Sequence, residues 1–139
     1  MDDQVRRGRY VVLDATPVIV SPSVPSGDRA AVTTPSVMEE LLRTKREIQE
    51  VRVRALMESG SLAVVQPSEA YVERVRGSLS KEEKFSASRA DVEVLALALQ
   101  LLEEGNEVVL LSDDSVVRRV AAKLGIPCKG VKYPQRDLT

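Results

Sequence analysis

From Ala90 to Gly105 the chain reads ADVEVLALALQLLEEG, and from Val108 it continues VVLLS. The first stretch is an almost continuously apolar helix stopped by glycine, and a helix apolar on most sides must be buried on most sides. The second is a short apolar run of the kind found in strands covered on both faces. Together they call for a layered fold in which helices cover a sheet. The rest of the chain repeats the pattern. Tyr10 to Leu13 (YVVL) reads as a central parallel strand, AVTTP as a second strand ending at Pro35, SLAVVQP as a third ending at Pro67, and IPCKG as a short last one. A helix is expected from Ser36 to about Ser59, where Val37, Leu41, Ile48, Val51, Ala55 and Leu56 recur at near-helical spacing ahead of Gly60. SEAYVERVRG and DSVVRRVAAKLG read as further helices, SPSVPSGDRA as a loop, and SLSKEEKFSAS as a loop or short helix.

Strands alternating with helices predict an α/β fold: a three-layer α/β/α sandwich around a central, mostly parallel sheet of four to five strands. At 139 residues the chain fits a single domain spanning 1–139, with the tail VKYPQRDLT loosely held from about residue 132.

Composition narrows the chemistry. Cys128 is the single cysteine and there is no histidine, which excludes an internal disulfide, the usual Cys/His zinc sites, and the Ser-His and Cys-His nucleophile pairs. An enzyme built from this chain works through carboxylates. Twenty Lys and Arg against 21 Asp and Glu give a net charge of −1, so the total charge advertises no large non-specific affinity for nucleic acid. Aromatics at 3%, with no Trp, argue against an aromatic stacking platform for single strands. No apolar run approaches the roughly 20 residues that span a bilayer. The start MDDQVRRGRY has no apolar signal segment, so a cytoplasmic protein with no membrane partner is expected.

In open α/β sheets ligands bind beyond the carboxyl ends of the strands, which makes the residues just after each strand informative. Asp14 follows the first strand, and Asp113 and Asp114 follow VVLLS. Glu40 lies about one turn into the helix after Pro35, and Asp91 in the first turn of the apolar helix; both helices begin at the edge where the strands end. Each acid has an ordinary use. Ser88 and Asp91 match a capping box, Asp113 or Asp114 suits an N-cap, Asp14 suits a turn with Thr16, and Glu40 suits an exposed pair with Arg43 or Thr44. None of these uses explains why four acids share one sheet edge, where like charges a few ångströms apart repel by about 4 kcal/mol at an effective dielectric near 20. A hard divalent cation removes that cost, and a histidine-free carboxylate set suits Mg²⁺ or Mn²⁺ better than Zn²⁺. A doubly wound binding module of the response-regulator type, whose acidic edge takes Mg²⁺ without cutting, needs a phosphoacceptor Asp at the end of a central strand and a later Lys; Asp14 arrives too early for that role, since the paired acids of that family sit at its first strand.

The succession VVLDA, TTPSVMEELL, SASRADVEVLALAL and VVLLSDDSVVRRVAAKLGIP resembles the PIN-domain ribonucleases over nearly the whole chain, Tyr10 to about Val131. Within them it is most similar to the Nin-one-binding branch, endonucleases that cut the 3′ end of small-subunit ribosomal RNA precursors. The resemblance implies that Asp14, Glu40, Asp91 and Asp114 are catalytic acids that bind one or two Mg²⁺ or Mn²⁺ ions. It prefers Glu40 to Glu39, because the family's acid directly precedes the apolar residue of its E-L pair, here Leu41. It prefers Asp114 to Asp113, because Ser112-Asp113-Asp114 satisfies the family's hydroxyl-x-Asp pattern. Ser112 and Thr16 are then expected to orient ligands or phosphate, and Asp113 to cap the next helix or to assist beside the metal acids. RNA hydrolysis with a metal-activated water, leaving 5′-phosphate and 3′-hydroxyl ends, needs no histidine base. Arg43, Lys45, Arg46, Arg89, Arg118 and Arg119 are the cations placed to hold the RNA strand. The branch carries a Cys-rich zinc ribbon after its PIN domain, and this sequence contains none. The alternatives implied by the resemblance are a PIN toxin of a toxin–antitoxin pair, attacking tRNA or mRNA, and an inactive PIN scaffold or RNA-binding module. PIN relatives are often dimers, so a homodimer is an expected state.

Overall fold

The structure, a computed structural model, describes residues 8–15, 29–43 and 47–130. Thr16, Lys45, Arg46 and the tail after Gly130 lie outside the described residues. Strand β1 (Arg9–Leu13) is followed by β2 (Ala30–Thr33), helices α1 (Pro35–Arg43) and α2 (Glu47–Glu58), and β3 (Ala63–Val64). Then come α3 (Glu69–Ser78), α4 (Lys81–Ser86), α5 (Arg89–Glu103), β4 (Glu107–Leu111), α6 (Ser115–Leu124) and β5 (Cys128–Lys129). The stretch read as one helix from Ser36 to Ser59 is therefore described as two, with 44–46 outside the described residues. The weakly patterned SLSKEEKFSAS contains a true short helix, α4. Ser80 caps it, and the Ser80 N–H in turn donates to Glu83 Oε1 at 2.8 Å.

The five strands form one sheet in the order β3-β2-β1-β4-β5, and every pairing is parallel. The edge strands read as SLAVVQP and IPCKG contribute only two paired residues each, Ala63–Val64 and Cys128–Lys129. Short edges of this kind offer little unpaired backbone to other chains. In the central strand Val11, Val12 and Leu13 are all buried although consecutive side chains point to opposite faces. Helices therefore cover the sheet on both sides, giving the three-layer arrangement.

Helix α5 is the keystone of the core. Ala90 and all eight residues from Val92 to Leu99 are buried, and the helix packs on β1, β4, α1, α3 and α6. Each buried Leu or Val contributes on the order of 1.5–3 kcal/mol relative to exposure. The apolar side chains of α5 thus explain both its helical span and its central position.

The order of the strands decides where a site can form. The chain lays β2 and β3 on one side of β1, then returns to place β4 and β5 on the other. The reversal puts the crevice between β1 and β4, whose registers run together from Arg9 opposite Glu107 to Leu13 opposite Leu111. The residues that follow are Asp14 on one side and Ser112-Asp113-Asp114 on the other.

Candidate acidic site at the strand switch point

Asp14 leaves β1 with its backbone still in the sheet, its N–H donating to the Leu111 carbonyl at 3.1 Å. The residue as a whole is 7% exposed. Oδ1 accepts the Ala15 N–H at 2.8 Å, and Oδ2 accepts the Ser112 hydroxyl at 2.8 Å across the β1–β4 crevice. The fully buried Ser112 Oγ also accepts the Asp114 N–H at 3.1 Å. One hydroxyl thus joins the first acid to the turn that carries the last.

Burial pushes the Asp14 carboxyl above its ordinary value; the Ser112 and Ala15 hydrogen bonds oppose this, and the charges of Asp114 and Glu40 add to it. Asp91 is pushed up to about 6, mainly by burial and then, against the Ser88 backbone bond, by the charges of Asp114 and Asp14. All four acids proposed from the sequence are therefore electrostatic neighbours, although they come from positions 14, 40, 91 and 114.

The ordinary uses of these acids are partly realised as well. Ser88 and Asp91 form the expected capping box, with Asp91 Oδ2 accepting the Ser88 N–H at 2.9 Å. Asp114, not Asp113, is the N-cap of α6. Its Oδ1 accepts the N–H groups of Val116 at 2.8 Å and Val117 at 3.1 Å. The expectation that Asp113 caps this helix is corrected for a simple reason: the helix starts at Ser115, so the capping position falls on the residue directly before it. Both capping bonds use Oδ1 of Asp114, so the cap and an interaction through Oδ2 are compatible. Asp113 is half-buried beside it. Glu39 is the exposed residue of its pair and lies 3.7 Å from Arg43, whereas Glu40 is half-buried and acts on Asp14.

The proposed RNA-holding cations differ in setting. Arg43 and Arg89 are largely exposed, Arg89 with its Nε donating to Glu93 Oε2 at 3.2 Å. Arg118 is half-buried. Arg119 lies 3.9 Å from Glu83, a carboxylate of α4 that also holds Lys123 at 2.7 Å.

Glu93, absent from the acids picked out in the sequence, is buried, accepts a hydrogen bond from the Ser36 hydroxyl and pairs with Arg89. It ties α1, which carries Glu40, to α5, which carries Asp91. Its signal in the sequence was a lone charge inside the apolar run VEVLALAL; nothing marked Ser36, 57 positions away, as its partner.

The donor set fits a hard divalent cation: all oxygen, no imidazole or thiolate, with two carboxyls raised by crowding and burial. Among the described residues, no group of three or more Asp, Glu, Cys or His side chains is placed closely enough to hold a metal ion, so the fit rests on the chemistry of the donors.

Residues 11–101 match the family model described as the PIN domain of ribonuclease. The chain belongs to the PIN-domain ribonuclease family. This PIN domain is 32% identical over 124 residues to "Endoribonuclease Nob1" of Methanocaldococcus jannaschii, covering 88% of the chain and 56% of that protein. It is 34% identical over 108 residues to the Nob1 of Archaeoglobus fulgidus, covering 77% and 61%. It is 35% identical over 125 residues to "Ribonuclease VapC3" of Aeropyrum pernix, covering 88% and 86%. The PIN domain therefore spans somewhat more than half the length of the two Nob1 proteins. Among solved structures, the PIN domain of T. brucei RRP44 superposes with a TM-score of 0.56 at 15% identity, covering 90% of this chain and 78% of that one, a likeness of fold. Among the described residues, no helix is long and apolar enough to cross a membrane.

Proposed function

We propose that this PIN domain is an endoribonuclease that hydrolyses RNA phosphodiester bonds with Mg²⁺ or Mn²⁺. The observation that carries the reading is the buried Asp14 carboxylate, fixed by Ser112 at the strand switch point and crowded by Asp114 and Glu40. Capping accounts for Asp91 and Asp114 singly but does not offset the repulsion among these acids, which a divalent cation would. The relatives' names, endoribonuclease and ribonuclease, support the same chemistry.

In this reading Asp14, Glu40, Asp91 and Asp114 would hold one or two ions, which would supply Lewis-acid activation of water and offset charge on the scissile phosphate and the leaving 3′ oxygen. The chain's own part is positional. Ser112 keeps Asp14 Oδ2 at a fixed height in the crevice, and its accepted bond from the Asp114 N–H sets the turn that presents Asp114. The α6 cap holds Asp114 through Oδ1. Glu93 sets the spacing of Glu40 and Asp91 by clamping α1 to α5. Thr16 and Asp113 flank the same turns in sequence.

The substrate proposed first is a ribosomal RNA precursor, on the motif likeness to the Nin-one-binding branch and the Nob1 relatives. A toxin-type substrate, tRNA or mRNA, is the second reading, and the similarity to VapC3 along most of that protein favours it. The test is to incubate unstructured labelled RNA with the protein and Mn²⁺, with the protein and EDTA, and with Asp14→Asn and Mn²⁺. Cutting only in the first is expected. Equal cutting in all three would assign the activity elsewhere, and no cutting on unstructured, ribosomal and transfer RNAs alike would leave an inactive scaffold.

A further inference from the structure

The motif TTPSVMEELL places two threonines directly before α1, and both are fully buried. A buried hydroxyl is costly unless it is bonded, so each calls for a partner. Thr34 finds its partners in the turn that follows. Its Oγ1 accepts the Val37 N–H at 3.3 Å and its carbonyl accepts the Met38 N–H at 3.1 Å, which starts the helix. Thr33 reaches across the sheet instead. Its hydroxyl donates to the Leu13 carbonyl at 2.7 Å, while its own carbonyl accepts the Val65 N–H at 2.8 Å. One residue at the end of β2 therefore holds the end of β3 through its backbone and the end of β1 through its side chain.

The carbonyl that Thr33 holds belongs to the peptide that introduces Asp14. A trans peptide is planar, with its C=O and N–H pointing in opposite directions. In the Leu13–Asp14 peptide the C=O accepts from Thr33 on the β2 side, and the N–H donates to the Leu111 carbonyl at 3.1 Å on the β4 side. The plane is pinned from both neighbouring strands and cannot rotate without breaking one of the two bonds. Its orientation sets the direction in which the Asp14 side chain leaves the backbone.

We propose that Thr33 is a positioning residue of the acidic site. Its hydroxyl aims Asp14 from the β2 side, as Ser112 holds the carboxylate from the β4 side. It also ties that acid to the point where α1, which carries Glu40, leaves the sheet. The proposal rests on the metal-dependent ribonuclease reading, but its first readout is metal binding and does not depend on cutting. Thr33→Val matches threonine in shape and keeps a β-branched residue in the strand while removing the donor. Binding of Mn²⁺ to the metal-free protein, followed by the EPR signal of the free ion, should weaken roughly tenfold, the lower end of the effect of losing a group that orients a metal ligand. On unstructured RNA kcat should fall by a similar factor, with KM little changed. Thr33→Ser keeps the hydroxyl and should restore both quantities.

Val108→Ala, a buried residue at the far end of β4 opposite Tyr10, is the control for lost stability. It should lower Tm and change neither Mn²⁺ affinity nor kcat. If Thr33→Val melts below the assay temperature, Thr33→Cys, a weaker donor, replaces it and should fall between wild type and the loss expected for valine. Mn²⁺ affinity and kcat unmoved in the donor-free variant, or moved equally by Val108→Ala, would overturn the proposal while leaving the nuclease reading intact. Failure of Thr33→Ser to restore them would overturn it as well. Mn²⁺ binding weakened by Thr33→Val and restored by Thr33→Ser, with no RNA cut by the wild type, would uphold the positioning role and sink the nuclease reading. A wild type that binds no Mn²⁺ would sink both.

Discussion

Asp91→Asn separates what this acid does for the fold from what it does for the proposed reaction. In the folded protein its carboxyl is pushed from 3.8 to about 6, chiefly by burial and then by the charges of Asp114 and Asp14. The folded state therefore holds this proton more tightly than the unfolded chain does. The resulting stabilisation is fully present below about pH 3.8 and is lost as the pH rises through about 6. Fully transmitted, the shift corresponds to about 3 kcal/mol. The carboxyl is only half-buried and solvent screens it, so about 1–2 kcal/mol is expected.

Asparagine keeps an oxygen for the Ser88 N–H and carries no charge, so the capping box survives while the repulsion disappears. Urea and thermal unfolding in EDTA should show Asp91→Asn equal to wild type near pH 3.5. At pH 8 it should be more stable by about 1–2 kcal/mol, roughly 3–8 °C in Tm for a chain of this size. Saturating Mn²⁺ should narrow that gap by stabilising the wild type, and RNA cutting should be lost in the variant. A variant less stable than wild type at pH 8 in EDTA would refute the reasoning, since it would mean that the carboxylate is worth more as a cap than it costs as a charge.

Asp114→Asn should abolish cutting while changing stability by less than about 0.5 kcal/mol, because asparagine caps helices as well as aspartate does; Asp113→Asn should cost less activity, and both are read by RNA cleavage beside a melt. Ser112→Ala removes a hydroxyl shared by Asp14 and Asp114, and should cost about 1–2 kcal/mol in urea unfolding and lower kcat more than it alters KM. Glu83→Gln should lower Tm at neutral pH. The Lys123 hydrogen bond, and then the Ser80 backbone bond, hold the Glu83 carboxyl below its ordinary 4.5, so its contribution is present above that pH and is lost as pH falls through its folded value. Acid unfolding should accordingly show the wild-type advantage vanishing toward low pH. Adding Mn²⁺ should raise the Tm of the wild type but not of Asp14→Asn.

Local physics was legible in the chain because it acts over a few residues. The capping box of Ser88 and Asp91, the burial of the ADVEVLALAL helix and the central strands YVVL and VVLL follow from periodicity and from side chains that reach neighbouring backbone groups. The sequence by itself also narrowed the chemistry that could be proposed, since no histidine and one cysteine leave out the histidine-based nucleophile pairs and the usual zinc sites. Which of two adjacent aspartates caps α6 was less legible, because one residue at a helix boundary decides it and family pattern pointed past it.

Only the tertiary structure decided that β4 lies against β1. That pairing brings Ser112 to Asp14 across 98 positions, and no local preference encodes it. The same holds for Glu93, whose charge is tolerable in the core only because Ser36 and Arg89 meet it there, and for Glu83, buried under α6 from a segment too short and polar to show a period. A buried charge is stable only when its partners arrive, and for Ser36 and Lys123 they arrive through packing that sequence spacing does not record.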